Sequence, residues 1–354
     1  MGGCSSTGRT RRRFNNLFRL DERLGVGHFS TVYACTEIST GKRFAVKVMK
    51  RSLVNAVALR DEVAVLRRVG DHPNVVALHD VFDDTDGFRI VMDYCSGGDL
   101  FSRIIAEGES SEKRTSEIIF QLASALQHIH ACGITHRDLK PENILLTSKD
   151  VNANIKVGDF GLSTIIQDKS GLMKTVCGTW AYCAPEVIRR VEYTLAVDIW
   201  TLGLLMFILL SGYHPFDLFG DLNEAELITK IQSCDYNFDD PIWDDVSAAA
   251  KDIISNLLQV APEKRMSLEK LLETDWILGR GVPQAPRTKL IDRLQQFKNF
   301  RVTVLASVAT AKFMKPVRAK RTQSQLDNSQ IEDALSQMTS STIPEQKDHF
   351  PVDK

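Results

Sequence analysis

His136-Arg137-Asp138-Leu139-Lys140-Pro141-Glu142-Asn143, followed by Asp159-Phe160-Gly161, is the stretch that decides the reading of this 354-residue chain. Four of these residues carry the chemistry: the carboxylates of Asp138 and Asp159, the ammonium of Lys140 and the amide of Asn143. Moving a phosphoryl group asks little covalent chemistry of a protein; it asks for positioning and for neutralisation of charge. Asp138 can accept the proton of an attacking hydroxyl, and Lys140 can offset charge on the group in flight. Asn143 and Asp159 offer the hard oxygen ligands that Mg2+ requires. Any one of these residues alone reads as a solvated loop group; the joint spacing carries the signal.

Upstream, Leu24-Gly25-Val26-Gly27-His28-Phe29-Ser30-Thr31-Val32 lies between two strand-like runs. Glycines there let a tight hairpin bring backbone N–H groups close to phosphate oxygens. A strand rather than a helix follows them, which excludes a dinucleotide-binding βαβ unit. Lys47 sits in Ala45-Val46-Lys47-Val48, and Glu62 follows on a helical pattern. A buried ammonium needs a partner, and Glu62 can supply one while Lys47 reaches phosphates.

The ordered set Gly25/Gly27, Lys47, Glu62, Asp138, Asn143, Asp159 and Ala184-Pro185-Glu186 resembles the eukaryotic protein kinase family over about residues 18–278. The resemblance implies a bilobal α+β kinase fold. It also implies that ATP is held by Leu24 to Ser30, Val32, Ala45, Lys47, Met92, Asp93, Cys95 and Asp99, with Mg2+ on Asn143 and Asp159. Asp138, Lys140, Asn143, Lys47 and Glu62 would be catalytic. His136, Phe160, Leu66 and Leu78 would form a hydrophobic stack, Asp198 would hold the backbone of the catalytic loop, and Arg265 would pair with Glu186. The third glycine of the usual loop pattern is Ser30 here. Because Lys47, Asp138 and Asp159 are all present, a folded platform without turnover is disfavoured.

Finer details of the resemblance imply a serine/threonine kinase of the calcium/calmodulin-dependent branch. Lys140 and Thr179, in Gly178-Thr179-Trp180, are residues that such kinases set beside the catalytic aspartate. Asp99 and Glu142 stand where a basic side chain three residues before the acceptor is bound, so Arg-X-X-Ser/Thr is the expected substrate. Ile208 occupies a place where some relatives carry a glutamate for a second arginine. The branch is suggested by Phe238-Asp239-Asp240-Pro241-Ile242-Trp243, Pro262-Glu263-Lys264-Arg265-Met266-Ser267 and Ser211-Gly212-Tyr213-His214-Pro215-Phe216. Arg137 calls for an anionic partner, and Thr175 matches a position that an upstream kinase would phosphorylate.

Beyond the catalytic segment, residues 287–320 carry nine Lys and Arg against one acid, Asp292. Leu290, Leu294, Phe297, Val304 and Val308 are spaced for one helical face, a pattern suited to calmodulin or to packing on the kinase domain itself. No calcium-binding loop accompanies it, so calcium sensing would need a separate protein. At the other end, Met1-Gly2-Gly3-Cys4-Ser5-Ser6 fits N-myristoylation at Gly2 with palmitate at Cys4, beside Arg9, Arg11, Arg12 and Arg13. This predicts a cytoplasmic protein that can gather at the inner face of a membrane. Arg321-Thr322-Gln323-Ser324 repeats the expected substrate pattern at Ser324.

Composition agrees with this organisation. With 43% hydrophobic and 25% charged residues the chain can bury a full core, and a formal net charge of −1 gives no field for nucleic acid. Seven scattered cysteines without a CxxC pair indicate neither a disulfide framework nor a zinc site. The longest apolar run, Ile199–Leu210, is short for a bilayer and reads as a core helix. Short β-like runs (Thr31-Val32-Tyr33-Ala34-Cys35, Phe44-Ala45-Val46-Lys47-Val48) with one helix through Leu59, Val63 and Leu66 fill the first part. Helical patterns through Ile118, Leu122, Ala125 and Ile129, and near 194–211, 247–258 and 267–272, fill the second. The expected layout is an N-terminal segment at 1–17 and a kinase domain at 18–278 (small lobe 18–95, large lobe 96–278). A basic segment at 279–320 and a polar, disordered tail at 321–354 follow.

Overall fold

The computed structural model describes residues 13–27, 30–52, 56–108, 110–165 and 180–298. Gly2, Cys4, His28, Phe29, Thr175, Thr179 and the stretch 299–354 lie outside them. The chain divides into two compact units.

The first unit is built on an antiparallel sheet. After α1 (Phe14–Leu17) come β1 (Phe18–Val26), β2 (Ser30–Glu37) and β3 (Arg43–Lys50), then α2 (Ala56–Val69), β4 (Leu78–Asp84) and β5 (Gly87–Asp93). The spatial order is β1-β2-β3-β5-β4. The larger part of α2, from Asp61 onward, belongs to the second unit. Val26 pairs with Thr31 across the glycine hairpin, and Val32 pairs with Lys47 across β2 and β3. Alternating residues on one face meet in an aromatic core. Phe18 stacks on Phe14 at 5.3 Å, and Phe82 meets both rings edge-on. The four-residue α1, too short to show a period in the sequence, thus contributes a fully buried ring. Arg89 covers it at 5.3 Å and is held there by Asp84 (2.6 Å) and Asp86 (2.8 Å).

The second unit is mainly helical. It contains α3 (Leu100–Glu107), α4 (Glu112–Ala131), the short strands β6 (Ile134–Thr135), β7 (Ile144–Leu146), β8 (Ile155–Val157) and β9 (Thr164–Ile165), and then α5 (Pro185–Ile188), α6 (Ala196–Ser211), α7 (Glu224–Ser233), α8 (Ala248–Leu257) and α9 (Leu268–Leu272). α6 is apolar all round and packs against α4 and α8, which accounts for the long hydrophobic run as a central core helix. Ile208 is fully buried within it. Among the described residues no helix is long and apolar enough to cross a membrane.

Two buried carboxylates in this unit have close partners. Glu112, at 0% exposure, accepts from the Ser247 amide (3.0 Å), the Ser247 hydroxyl (2.5 Å) and the Trp276 indole (2.7 Å). Arg265 grips Glu186 with two nitrogens at 2.6 and 2.7 Å.

The unit continues past residue 278. The Lys113 amide donates to Pro283 at 3.0 Å, and the Arg287 amide donates to Ser110 at 2.7 Å. The Arg287 guanidinium lies inside, donating to the carbonyls of Leu210 and Ile242, both at 2.5 Å. Residues 288–298 are helical and bury Leu290 and Leu294 completely. Gly212, at φ +80°, makes room for this helix: a Cβ there would stand 2.5 Å from the Arg293 Cβ. Arg293 then reaches Asp240 (2.9 Å), Phe297 faces Phe101 at 6.5 Å, and Lys298 donates to Ser102 at 2.6 Å.

Candidate active site

Two small hairpins shape the segment that carries the predicted catalytic residues. β6 pairs with β9, and β7 pairs with β8 with Ile144 opposite Val157. Residues 136–143 therefore bridge β6 to β7, while 158–163 bridge β8 to β9, and the two bridges lie side by side. Gly158 donates to the Asn143 carbonyl (2.8 Å) and the Ser163 hydroxyl donates to the His136 carbonyl (3.1 Å). His136 Nε2 lies 3.1 Å from the Gly158 carbonyl, and its ring meets Phe160 edge-on at 5.0 Å. This ladder brings Asp138, Lys140 and Asn143 to the same edge as Asp159.

Lys140 Nζ donates to Asp138 Oδ2 at 2.5 Å. The Asn143 amide nitrogen donates to the Asp138 carbonyl (2.7 Å) and to Oδ2 (3.1 Å). Its NH2 is thereby committed to Asp138, and the other end of the amide is the oxygen that suits a hard cation. Asp138 and Asn143 are buried, whereas Asp159 is exposed. Arg137 (φ +65°) and Asp159 (φ +58°) both hold left-handed backbone, a conformation uncommon for side-chain-bearing residues.

Asp198 holds the loop in that shape. Its Oδ2 accepts from the His136 amide (2.9 Å), its Oδ1 accepts from the Arg137 amide (3.0 Å), and His130 Nε2 lies 2.8 Å from Oδ2. Burial opposes ionisation of this carboxyl, but the bond and charge of His130 and the backbone amides outweigh it and hold it below the usual value. His130 is a positioning residue that the sequence reading missed; a histidine near the end of a helix gives no separate signal. Arg137 donates to the Leu162 carbonyl (2.7 Å) and to the Tyr193 hydroxyl (3.1 Å).

Asp99 caps α3, accepting from the Ser102 amide at 2.8 Å and from the Ser102 hydroxyl. A backbone bridge ties Asp99 to Leu145, and α3 packs on the 141–143 turn that carries exposed Glu142. The two expected readers of a basic side chain thus stand on neighbouring elements. Asp93 keeps its side chain busy: Lys156 pairs with it at 2.9 Å and the Ala77 amide donates to it at 3.1 Å. Lys156 was another silent residue in the sequence. Cys95 is a free thiol whose ionisation is pushed up to about 11 by burial.

The first unit carries Leu24, Gly25, Val26, Gly27, Ser30, Val32, Ala45, Lys47 and Met92. The hairpin closes with Gly27 donating to the Ser30 carbonyl at 2.8 Å, and a Cβ on Gly25 would meet nothing within 4 Å. That leaves space for phosphate oxygens to approach the backbone. Glu62 belongs to the second unit. Among the described residues no cluster of three or more His, Cys, Asp or Glu forms a metal cage by itself. Asn143 and Asp159 fit Mg2+, a cation that takes one or two protein ligands and completes its shell with phosphate and water.

The protein kinase domain family matches residues 18–277. The calcium/calmodulin-dependent protein kinase type IV of Homo sapiens is 36% identical over 308 residues, covering 86% of this chain and 64% of that protein. The Rattus norvegicus counterpart is likewise 36% identical, with the same coverage. A probable myosin light chain kinase of Dictyostelium discoideum is 38% identical over 276 residues, covering 78% of this chain and 86% of that protein. The chain spans 64% of the length of the type IV kinases it matches. Family extent and relatives agree: the chain belongs to the protein kinase family, and the relatives it is similar to include calcium/calmodulin-dependent kinases.

Proposed function

We propose that this protein is a serine/threonine kinase that transfers the γ-phosphoryl of ATP to protein hydroxyls in Arg-X-X-Ser/Thr contexts. The observation that carries this reading is Asp138, gripped by both Lys140 and Asn143 on the ladder that also presents Asp159. Asp138 takes the proton of the substrate hydroxyl as the oxygen attacks, and Lys140 balances charge beside it. Asn143 and Asp159 would hold Mg2+, which neutralises the phosphate oxygens when bound. Lys47, paired with Glu62, would orient the α- and β-phosphates under the Gly25–Ser30 hairpin, and Met92 to Cys95 would line the adenine. Asp99 and Glu142 supply the negative charge that suits an arginine three residues before the acceptor. The test is phosphate incorporation into an Arg-X-X-Ser peptide. Asp138→Asn should lower kcat by about 10³-fold, and replacing the arginine by alanine should raise KM; equal rates with and without that arginine would overturn the specificity.

Regulation is proposed at three places. A phosphate on Thr175, added by an upstream kinase, would compete for Arg137, which now spends one nitrogen on Tyr193; Thr175→Ala should then forfeit the activation. Residues 287–320 would bind calcium-loaded calmodulin after leaving their seat, since Leu290 and Leu294 are buried against the second unit. A 287–320 peptide that failed to bind at micromolar concentration would end that idea. Acylation of Gly2 and Cys4 would carry the protein to the cytoplasmic face of a membrane, and Gly2→Ala should shift it to the soluble fraction.

A further inference from the structure

Lys156 is the middle residue of β8, between Ile155 and Val157, both fully buried. Strand alternation sets its side chain on the opposite face, where it is only 16% exposed. An ammonium so far out of water needs partners, and two are close. Its Nζ lies 2.9 Å from Asp93 Oδ2 and donates to the Val75 carbonyl at 2.8 Å. The same Asp93 oxygen accepts from the Ala77 amide at 3.1 Å, and the Asp93 amide donates back to the Ala77 carbonyl at 3.1 Å. Nothing in the phosphoryl-transfer chemistry above uses Lys156.

The ion pair joins three segments of the second unit. The first is residues 74–77, which run alongside the second, β8. The Val157 amide donates to the Asn74 carbonyl and the Val76 amide donates to the Val157 carbonyl, both at 2.9 Å. The Asn74 side chain fastens the start of that run, donating to the Ile155 carbonyl (3.0 Å) and to Gln121 of α4 (2.9 Å). Gly158 lets the two chains close up, since a Cβ there would stand 3.2 Å from Val76 Cγ2. The third segment is Asp93 to Cys95, proposed above to line the adenine, and it hangs on Ala77 through both the amide and the carboxylate of Asp93. Two residues past Val157 the chain reaches Asp159, the proposed magnesium ligand. One lysine thus ties the adenine-lining segment to the strand that leads to the metal-binding carboxylate.

We propose that Lys156 is a positioning residue for the nucleotide: its ammonium holds the Asp93 carboxylate beside the Ala77 amide and so fixes the backbone from Asp93 to Cys95 that the adenine ring meets. The inference rests on the kinase reading and deepens it with a residue that touches no substrate atom. A charged donor bonds a carboxylate about twice as strongly as a neutral one, so losing Lys156 removes the stronger of the two bonds described at Asp93 Oδ2. The Val75 carbonyl loses a donor in the same step, and the run at 74–77 loosens with it. Binding of the base depends on where this backbone stands, whereas proton removal at Asp138 does not. The effect therefore falls on nucleotide affinity and not on the chemical step.

The experiment titrates the full chain with adenosine, which has the base and no phosphates, and assays it with ATP and an Arg-X-X-Ser peptide. Lys156→Met should weaken adenosine binding and raise KM for ATP by the same factor, about tenfold, with kcat and the peptide KM at wild-type values. Lys156→Arg keeps a charged donor and should restore both affinities. Asp93→Asn should copy the loss of adenosine affinity, and it carries the test if Lys156→Met does not fold. The double variant should bind adenosine no more weakly than Lys156→Met, because the two groups act as one pair. Wild-type adenosine affinity in both single variants would overturn the role, as would a fall in kcat with KM for ATP unmoved, or no recovery in Lys156→Arg. Adenosine binding needs no turnover, so the two readings fail separately. A wild-type chain that binds adenosine but phosphorylates no peptide strikes the kinase reading, and the adenosine values still decide the role of Lys156.

Discussion

His130 Nε2 and Asp198 Oδ2 lie 2.8 Å apart, and the same carboxylate holds the amides of His136 and Arg137. A helix-end histidine, a core-helix carboxylate and the left-handed turn at Arg137 form one unit, so the 136–143 loop takes its shape from residues outside it. Asp198→Ala should orphan two backbone donors, at about 1–3 kcal/mol for one that is buried. The His136 donor is buried and the Arg137 donor half-buried, so the expected outcome is a lower Tm, set mainly by the first, together with a fall in kcat, while KM for the peptide stays near the wild-type value. Unchanged thermal unfolding in Asp198→Ala would contradict this account.

Glu186 and Arg265 form a doubly bonded pair in the interior of the second unit. Removing one charge leaves the other buried, at a cost of about 3–5 kcal/mol. Arg265 also donates to the carbonyls of Gln259 (2.9 Å) and Ala196 (2.8 Å), so Glu186→Gln belongs at the lower end. The combined Glu186→Gln, Arg265→Met variant should be less destabilised than the sum of the single changes, and chemical denaturation of all three variants measures the coupling.

Gly212 sits at φ +80° with the 288–298 helix against it. Gly212→Ala adds a left-handed penalty of about 1–2 kcal/mol to a clash with Arg293. Hydrogen exchange should then rise across 288–298 while α4 and α6 keep their protection. Equal exchange in the two proteins would mean that the seat tolerates the extra methyl.

His72 stacks on His128 at 4.8 Å, and Ser124 Oγ lies 3.4 Å from its Nε2. Burial first, then the charges of His128 and Lys156, lower its ionisation below the usual histidine value. A histidine lowered in this way binds its proton more tightly in the unfolded chain. Its contribution to stability is therefore intact above about pH 6.5 and is lost as the pH falls from there through the lowered native value. His72→Gln should flatten this part of the Tm-against-pH curve, and the His72 ring should titrate by NMR below the ~6.5 of an unperturbed histidine.

Much of the site was legible because its chemistry fixes both residue type and spacing. Asp138, Lys140 and Asn143 are in contact, and strands β7 and β8, only three residues each and below any detectable period, set the bridge that carries Asp159 beside theirs. The basic segment was harder. Arg287 counts as one more positive charge in the sequence, yet it lies inside the second unit on two carbonyls. Leu290 and Leu294 give the same helical pattern whether they face a partner protein or their own domain. Periodicity reports that a face is apolar, not what covers it. Phe14 was silent for another reason: a ring four residues ahead of a strand becomes part of a core only once the sheet has formed.

The seat beneath Leu290 and Leu294 bears on how the protein is handled. Recombinant versions cut at the family boundary near residue 278 would strip away the strap that starts with the Pro283 and Arg287 tethers, leaving an oily trough between Gly212 and Phe101 open to solvent. Such shortened versions should be prone to clumping, whereas those ending beyond residue 298 should remain well behaved.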